Sequence, residues 1–128
     1  MTLAPEFNKK RSWPEKFRDA FLGIGLGIRG QSSFRVHLVA ALLVVTGGMA
    51  LQVSLIQWCL LVICITLVLM AEMFNSALEA LAPVIDPQYN RHLAVALDVG
   101  SAAVLLAALG AAIVGAIIFG SRLVALFL

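Results

Sequence analysis

Hydrophobic positions fall into three long runs, preceded by a shorter segment in which apolar residues recur with helical spacing. In that segment Phe17, Phe21, Ile24 and Ile28 are separated by four, three and four positions, which marks one face of a helix. Lys16, Arg18, Asp19 and Arg29 are distributed around it. Pro14 suits a first helical turn, so the pattern predicts a helix over residues 14–30. A basic amphipathic helix of this kind lies on a membrane surface rather than crossing the bilayer. Residues 1–13, with Pro5, Lys9, Lys10 and Arg11, read as a loose tail.

From Leu38 to Ala71 there are 34 residues without a single charge. That exceeds the ~20 residues of one membrane span and falls just short of two. The most polar point inside the run is Gln52-Val53-Ser54, where the break is expected. The predicted spans are residues 35–51, 55–82 and 92–119. Pro83, Asp86 and Pro87 are expected to end the second, and Asp86 to Arg91 to form a short polar loop. The fold class is therefore an all-α membrane protein: one N-terminal amphipathic surface helix and three transmembrane helices, with residues 14–128 forming a single domain.

Composition supports this. Hydrophobic residues make up 62% and charged residues 12% of 128, where soluble domains carry roughly 25% charged residues. A net charge of +2 gives no case for nucleic-acid binding. Cys59 and Cys64, five apart on one apolar helix, point in different directions and read as small hydrophobes rather than a disulfide. The N-terminus lacks the pattern of a cleavable signal peptide. Seven of the nine Lys and Arg fall at or before the start of the first span, and Arg91 lies in the loop between the second and third. Both segments belong in the cytoplasm, with the C-terminus outside; Arg122 alone dissents. Gly25-Leu26-Gly27-Ile28-Arg29-Gly30 matches a dinucleotide-binding fingerprint in letters only, because no strand precedes it. In the third span Ala103, Ala107, Ala111 and Gly115 repeat every fourth position beside Ala108, Ala112, Ala116 and Gly120. Such a seam lets helices approach closely in lipid, including helices of different subunits.

The candidate chemistry lies in Glu72-Met73-Phe74-Asn75-Ser76-Ala77-Leu78-Glu79. Glu72, Asn75 and Glu79 share one helical face. A carboxylate in hydrocarbon costs at least about 2.5 kcal/mol, and two on one face repel unless a cation or a shared proton bridges them. Asp98 adds a third acid at a depth comparable to Glu79, so the acids can converge near the inner surface. Oxygen ligands of this type suit Mg²⁺ together with substrate phosphates. A structural polar cluster, with Glu79 and Asp98 reaching to the interface, explains the spacing equally well. His37 and His92 flank spans and offer no zinc-site spacing.

Ala71-Glu72-Met73-Phe74-Asn75-Ser76-Ala77-Leu78-Glu79-Ala80, followed by Ala96-Leu97-Asp98-Val99-Gly100-Ser101-Ala102-Ala103, resembles the prokaryotic diacylglycerol kinase and undecaprenol kinase family. The likeness runs from Phe17 onward and includes Phe34-Arg35-Val36-His37 before the first span. It implies a homotrimer in the bacterial inner membrane, with active sites between subunits at the cytoplasmic surface. It also implies transfer of the γ-phosphoryl group of MgATP to the hydroxyl of a membrane lipid. On that resemblance Glu72 is the general base, Asn75 its polar neighbour and Glu79 a Mg²⁺ ligand, while Asp98 and Ser101 lie near nucleotide and lipid. Gln31 stands where the family has a second metal-binding glutamate, Leu97 where it has a lysine, and Pro83 where it has an aspartate. Arg29, Arg35 and Arg91 are the candidate replacements for the missing cation. Two other readings stay open: a catalytically impaired binding or regulatory homologue, and a small cation-coupled carrier using Glu72 and Glu79.

Overall fold

A computed structural model of the protein describes residues 10–30 and 32–128. The chain forms four helices in the order α1 (Trp13–Gly30), α2 (Ser32–Ala50), α3 (Leu55–Ile85) and α4 (Arg91–Phe127). The last three are long and apolar enough to cross a membrane. Residues 1–9 of the expected tail lie outside the described residues, and so does Gln31.

Local chemistry sets each helix end. The Ser12 backbone N–H and hydroxyl both donate to Glu15 Oε2, at 2.7 and 2.9 Å, and start α1. Lys16 places its ammonium 4.7 Å from the centre of the Trp13 ring. Asp19 accepts from Arg11 at 3.0 Å, and that guanidinium, with Arg18, holds its carboxyl below the usual range. None of the α1 residues is buried, and Trp13, Phe17, Phe21 and Leu22 are exposed.

Between α2 and α3 the chain turns on Gln52, which adopts a left-handed conformation at φ 49°. Val53 N–H donates to Gly48 O at 3.1 Å and Gln52 N–H to Met49 O at 3.3 Å. This pair of bonds closes a helix end in a Schellman motif, a place usually given to glycine. Ser54 then caps α3: its Oγ accepts from Gln57 N–H at 3.3 Å, and Gln57 Oε1 accepts from Ser54 N–H at 2.9 Å. Arg122, beyond the expected end of the third span, is carried by α4, which continues to Phe127. Its Nε donates to Leu51 O at 3.1 Å and its Nη2 to Gln52 O at 2.8 Å. The charge thus satisfies carbonyls that end α2, which would otherwise lack partners.

The second correction concerns Pro83. It lies inside α3, which ends only at Ile85. A proline in the last turn removes a single helical hydrogen bond, and Asp86 N–H still reaches Ala82 O at 3.1 Å. In the loop Asp86 accepts from Gln88 N–H at 3.0 Å and from Asn90 Nδ2 at 3.1 Å. These bonds, the Asn90 amide foremost, hold the Asp86 carboxyl below its ordinary value. Asn90 Oδ1 in turn caps α4 by accepting from His92 and Leu93 N–H.

The helices form an antiparallel α3–α4 hairpin with α2 against α3. Buried Val53, Leu61 and Ile118, with Trp58 and Phe119 beside them, pack at the turn end. Gly48 makes this possible, because a Cβ there would lie 2.7 Å from Trp58 Cη2. Few other apolar side chains are buried; in a membrane protein lipid covers the rest. The 19 residues of α2 span about 28 Å, close to the ~30 Å of bilayer hydrocarbon. With 31 and 37 residues, α3 and α4 are much longer. They overhang the start of α2, and α1 lies against that overhang, where Gly27 faces Met73.

Candidate active site

The overhang begins at Glu72. Its side chain sits level with the first turn of α2 and is only 2% exposed. Ser33 Oγ donates a hydrogen bond to Glu72 Oε1. One helical turn further along α2, His37 Nε2 stands 3.8 Å from Glu72 Oε2, an ion pair whenever the imidazole is protonated. Burial of an ionised carboxylate is tolerated where such partners exist. Glu72 lies midway along α3, level with the start of α2.

One turn beyond Glu72, Asn75 is buried against α4 rather than α2. Its Nδ2 donates to Glu79 Oε1 at 2.9 Å, while its Oδ1 is buried without a hydrogen-bond partner among the described residues. The amide fits only because Gly100 lacks a side chain: a Cβ there would lie 2.6 Å from Asn75 Oδ1. Ser76 Oγ, facing the cleft between α1 and α3, is the other buried polar atom without a partner among the described residues. Glu79 is exposed.

The other sequence candidates are more dispersed. Asp98 and Ser101 are exposed on α4. Arg29 ends α1, Arg35 lies in the first turns of α2, and Arg91 opens α4; all three are exposed. Among the described residues, no ion pair joins these arginines to Glu72, Glu79 or Asp98. The expected convergence of three acids does not occur: among the described residues no three His, Cys, Asp or Glu side chains come close enough together to hold a metal ion. The reason is geometric. Glu72 is turned toward α2, while Glu79 is exposed and occupied on one oxygen by Asn75. Leu97 lines a small apolar cavity between α3 and α4 together with Leu78, Leu81 and Leu93.

The donor set still suits magnesium in one respect. Mg²⁺ commonly takes one or two carboxylates and completes its shell with water and phosphate oxygens. Glu79 presents an exposed carboxylate of that kind, beside a buried amide oxygen that lacks a partner.

Sequence reasoning passed over three residues of the site. Ser33 and His37 are four apart at the start of an apolar run, so both face the same neighbour; that spacing was the available signal. Gly100 offered none, since glycine is common in membrane helices. Cys59 and Cys64 are free thiols, as expected. The small-residue seam of α4 is little used within the chain. Ala108, Ala112 and Ala116 line an apolar groove of about 370 Å³ between α2, α3 and α4, which ends at His37. A Cβ on Gly115 or Gly120 would meet nothing within 4 Å.

Comparison with known proteins decides the family. Residues 18–119 match the family model described as prokaryotic diacylglycerol kinase. The chain belongs to the prokaryotic diacylglycerol kinase family. It is 33% identical to a diacylglycerol kinase of Synechocystis over 100 residues, covering 77% of this chain and 57% of that one. It is 38% identical to the diacylglycerol kinase of Escherichia coli over 92 residues, 72% of this chain and 75% of that one. The undecaprenol kinase of Bacillus subtilis is 28% identical over 112 residues, covering 84% of this chain and 91% of the relative. The stretch shared with the diacylglycerol kinase family, residues 18–119, holds Glu72, Asn75 and Glu79 and their neighbours Ser33, His37 and Gly100.

Proposed function

We propose that this protein is a membrane lipid kinase that moves the γ-phosphoryl group of MgATP to the hydroxyl of a membrane lipid of the diacylglycerol or undecaprenol type. One observation supports this above the others: the buried carboxylate of Glu72 is held by Ser33 at the start of α2, a place that in this reading lies at the edge of the bilayer, where a lipid alcohol and a water-soluble nucleotide can meet. In this reading the bacterial inner membrane holds the protein, with α1 lying on its cytoplasmic face.

Phosphoryl transfer asks a protein for positioning, charge neutralisation and one group to orient or deprotonate the attacking hydroxyl. Glu72 takes the hydroxyl proton as the lipid oxygen bonds to the γ-phosphorus and the bond to the β,γ-bridging oxygen breaks, releasing ADP. Asn75 holds Glu79 in place through its amide, and the exposed carboxylate of Glu79 is the Mg²⁺ ligand. When bound, the ion neutralises charge on the transferring phosphate. Gln31 is a weaker, neutral donor toward the same ion. Asp98 and Ser101 contact nucleotide or lipid from α4, and Arg29, Arg35 and Arg91 supply cations to the phosphates. Since these groups are dispersed within one chain, and the α4 seam is little used in it, the site is completed by self-association, with a homotrimer as the assembly.

The test is label transfer from MgATP to a panel of lipid alcohols by purified protein in mixed micelles. Glu72→Gln is expected to lower kcat by at least about a hundredfold, and Glu79→Ala to raise the Mg²⁺ requirement. A wild-type protein that labels no lipid overturns the reading. A catalytically impaired homologue is the second reading, favoured by Leu97, an apolar residue lining a cavity between α3 and α4 where the resembled family has a lysine. Nucleotide binding without turnover would select it.

A further inference from the structure

We propose that Ser33 and His37, one turn apart on α2, are positioning residues that hold Glu72 as an oriented carboxylate; this rests on the kinase reading of Glu72. Each lies nearest a different oxygen of the same group. Ser33 Oγ donates to Oε1, and His37 Nε2 faces Oε2 at 3.8 Å. Both belong to one helix, and the carboxylate they hold belongs to another, so its orientation is set by the α2–α3 packing. Phe34, between them in sequence, is buried at 3% exposure and fixes the rotation of α2 about its axis.

The two holders differ in access. Ser33 is exposed while Glu72 is sealed, so the hydroxyl stands between the carboxylate and the surrounding medium. His37 is half-buried, and its other side closes the end of the apolar groove between α2, α3 and α4. A carboxylate free to rotate would spend much of its time in orientations that cannot take a proton from an approaching alcohol. Two holders on a rigid helix remove that freedom before the substrate arrives, and general-base catalysis depends on such geometry.

The test uses the full chain in mixed micelles. Ser33→Ala is expected to lower kcat about tenfold while KM for MgATP and for lipid stays within about twofold. Ser33→Thr, which keeps a hydroxyl, restores most of the rate. His37→Ala behaves like Ser33→Ala, and His37→Gln, which keeps a donor, recovers part. Because both act through one carboxylate, the double variant loses less than the product of the single effects. A second readout does not need turnover. Infrared difference spectra against Glu72→Gln isolate the Glu72 carboxylate band, which is expected to shift in Ser33→Ala. Should that variant fail to fold by circular dichroism, Ser33→Cys makes the same comparison with a weaker donor. An unmoved band overturns the proposal, and so does a shifted band with unchanged kcat, or a change confined to KM. If wild-type protein transfers no label, the kinase reading fails by itself and the holding of Glu72 is judged on the band alone.

Discussion

At Gly100 a Cβ would stand 2.6 Å from Asn75 Oδ1 and 3.1 Å from Leu78 Cδ1, both on the facing helix. Gly100→Ala is therefore expected to force Asn75 from its place. The cost is about 1–3 kcal/mol of stability by overpacking, read as a lower melting temperature, together with loss of the Asn75–Glu79 bond. Gly110→Ala, on the same helix but outside the small-residue seam, where the added carbon meets nothing within 4 Å, is the control that leaves stability nearly unchanged. At this scale the sequence was partly legible. Spacing placed Glu72, Asn75 and Glu79 on one side of a helix, because helical periodicity alone decides that. It could not say that Glu72 turns to α2 and Asn75 to α4, since that depends on how neighbouring helices pack. His37 looked like an interfacial residue until its partner on α3 was known.

The helix ends are where local chemistry is most exposed to test. Gln52 holds a left-handed conformation, at φ 49°, in the position of a Schellman motif that glycine fills without steric cost. Gln52→Gly is expected to stabilise the protein by about 1 kcal/mol, measured by thermal or denaturant unfolding in micelles. Arg122→Gln works in the opposite direction, because the carbonyls of Leu51 and Gln52 lose a charged donor. At the other end of α3, the Asp86 carboxyl is held below its ordinary value chiefly by the Asn90 amide and also by Gln88 N–H. A group depressed on folding adds stability above its unfolded value, and that stability is lost as the pH falls through the lower folded value. Acidification to and below the ordinary carboxyl value is thus expected to loosen the α3–α4 loop, seen as a fall in amide protection at Gln88 relative to the intrinsic exchange rate at each pH, with the dependence absent in Asp86→Ala. The break at residues 52–54 was legible as the polar point of an uncharged run. The extension of α4 to Phe127 was not, because its justification is Arg122 reaching across to another turn.

For the molecule as a whole, the governing feature is unequal helix length. Hydrophobic runs announced three spans, but their ends came from partners rather than composition, so the second was drawn to 82 instead of 85 and the third to 119 instead of 127. What the runs did not convey is that α2 alone is about one hydrocarbon thickness long, with the carboxylate fastened to its first turn. On the lipid-kinase reading, α2 is therefore expected to act as a gauge of the surrounding lipid. In a bilayer of longer acyl chains the first turn of α2 is drawn below the headgroups, and Glu72 with it, away from any water-soluble phosphate donor; in a thin one the apolar stretch of α3 is left uncovered. Turnover measured in vesicles of graded chain length is expected to pass through a maximum, with the decline on the thick side steeper for MgATP than for lipid. Membrane composition would then set the rate at which such a protein works, with no regulatory ligand involved.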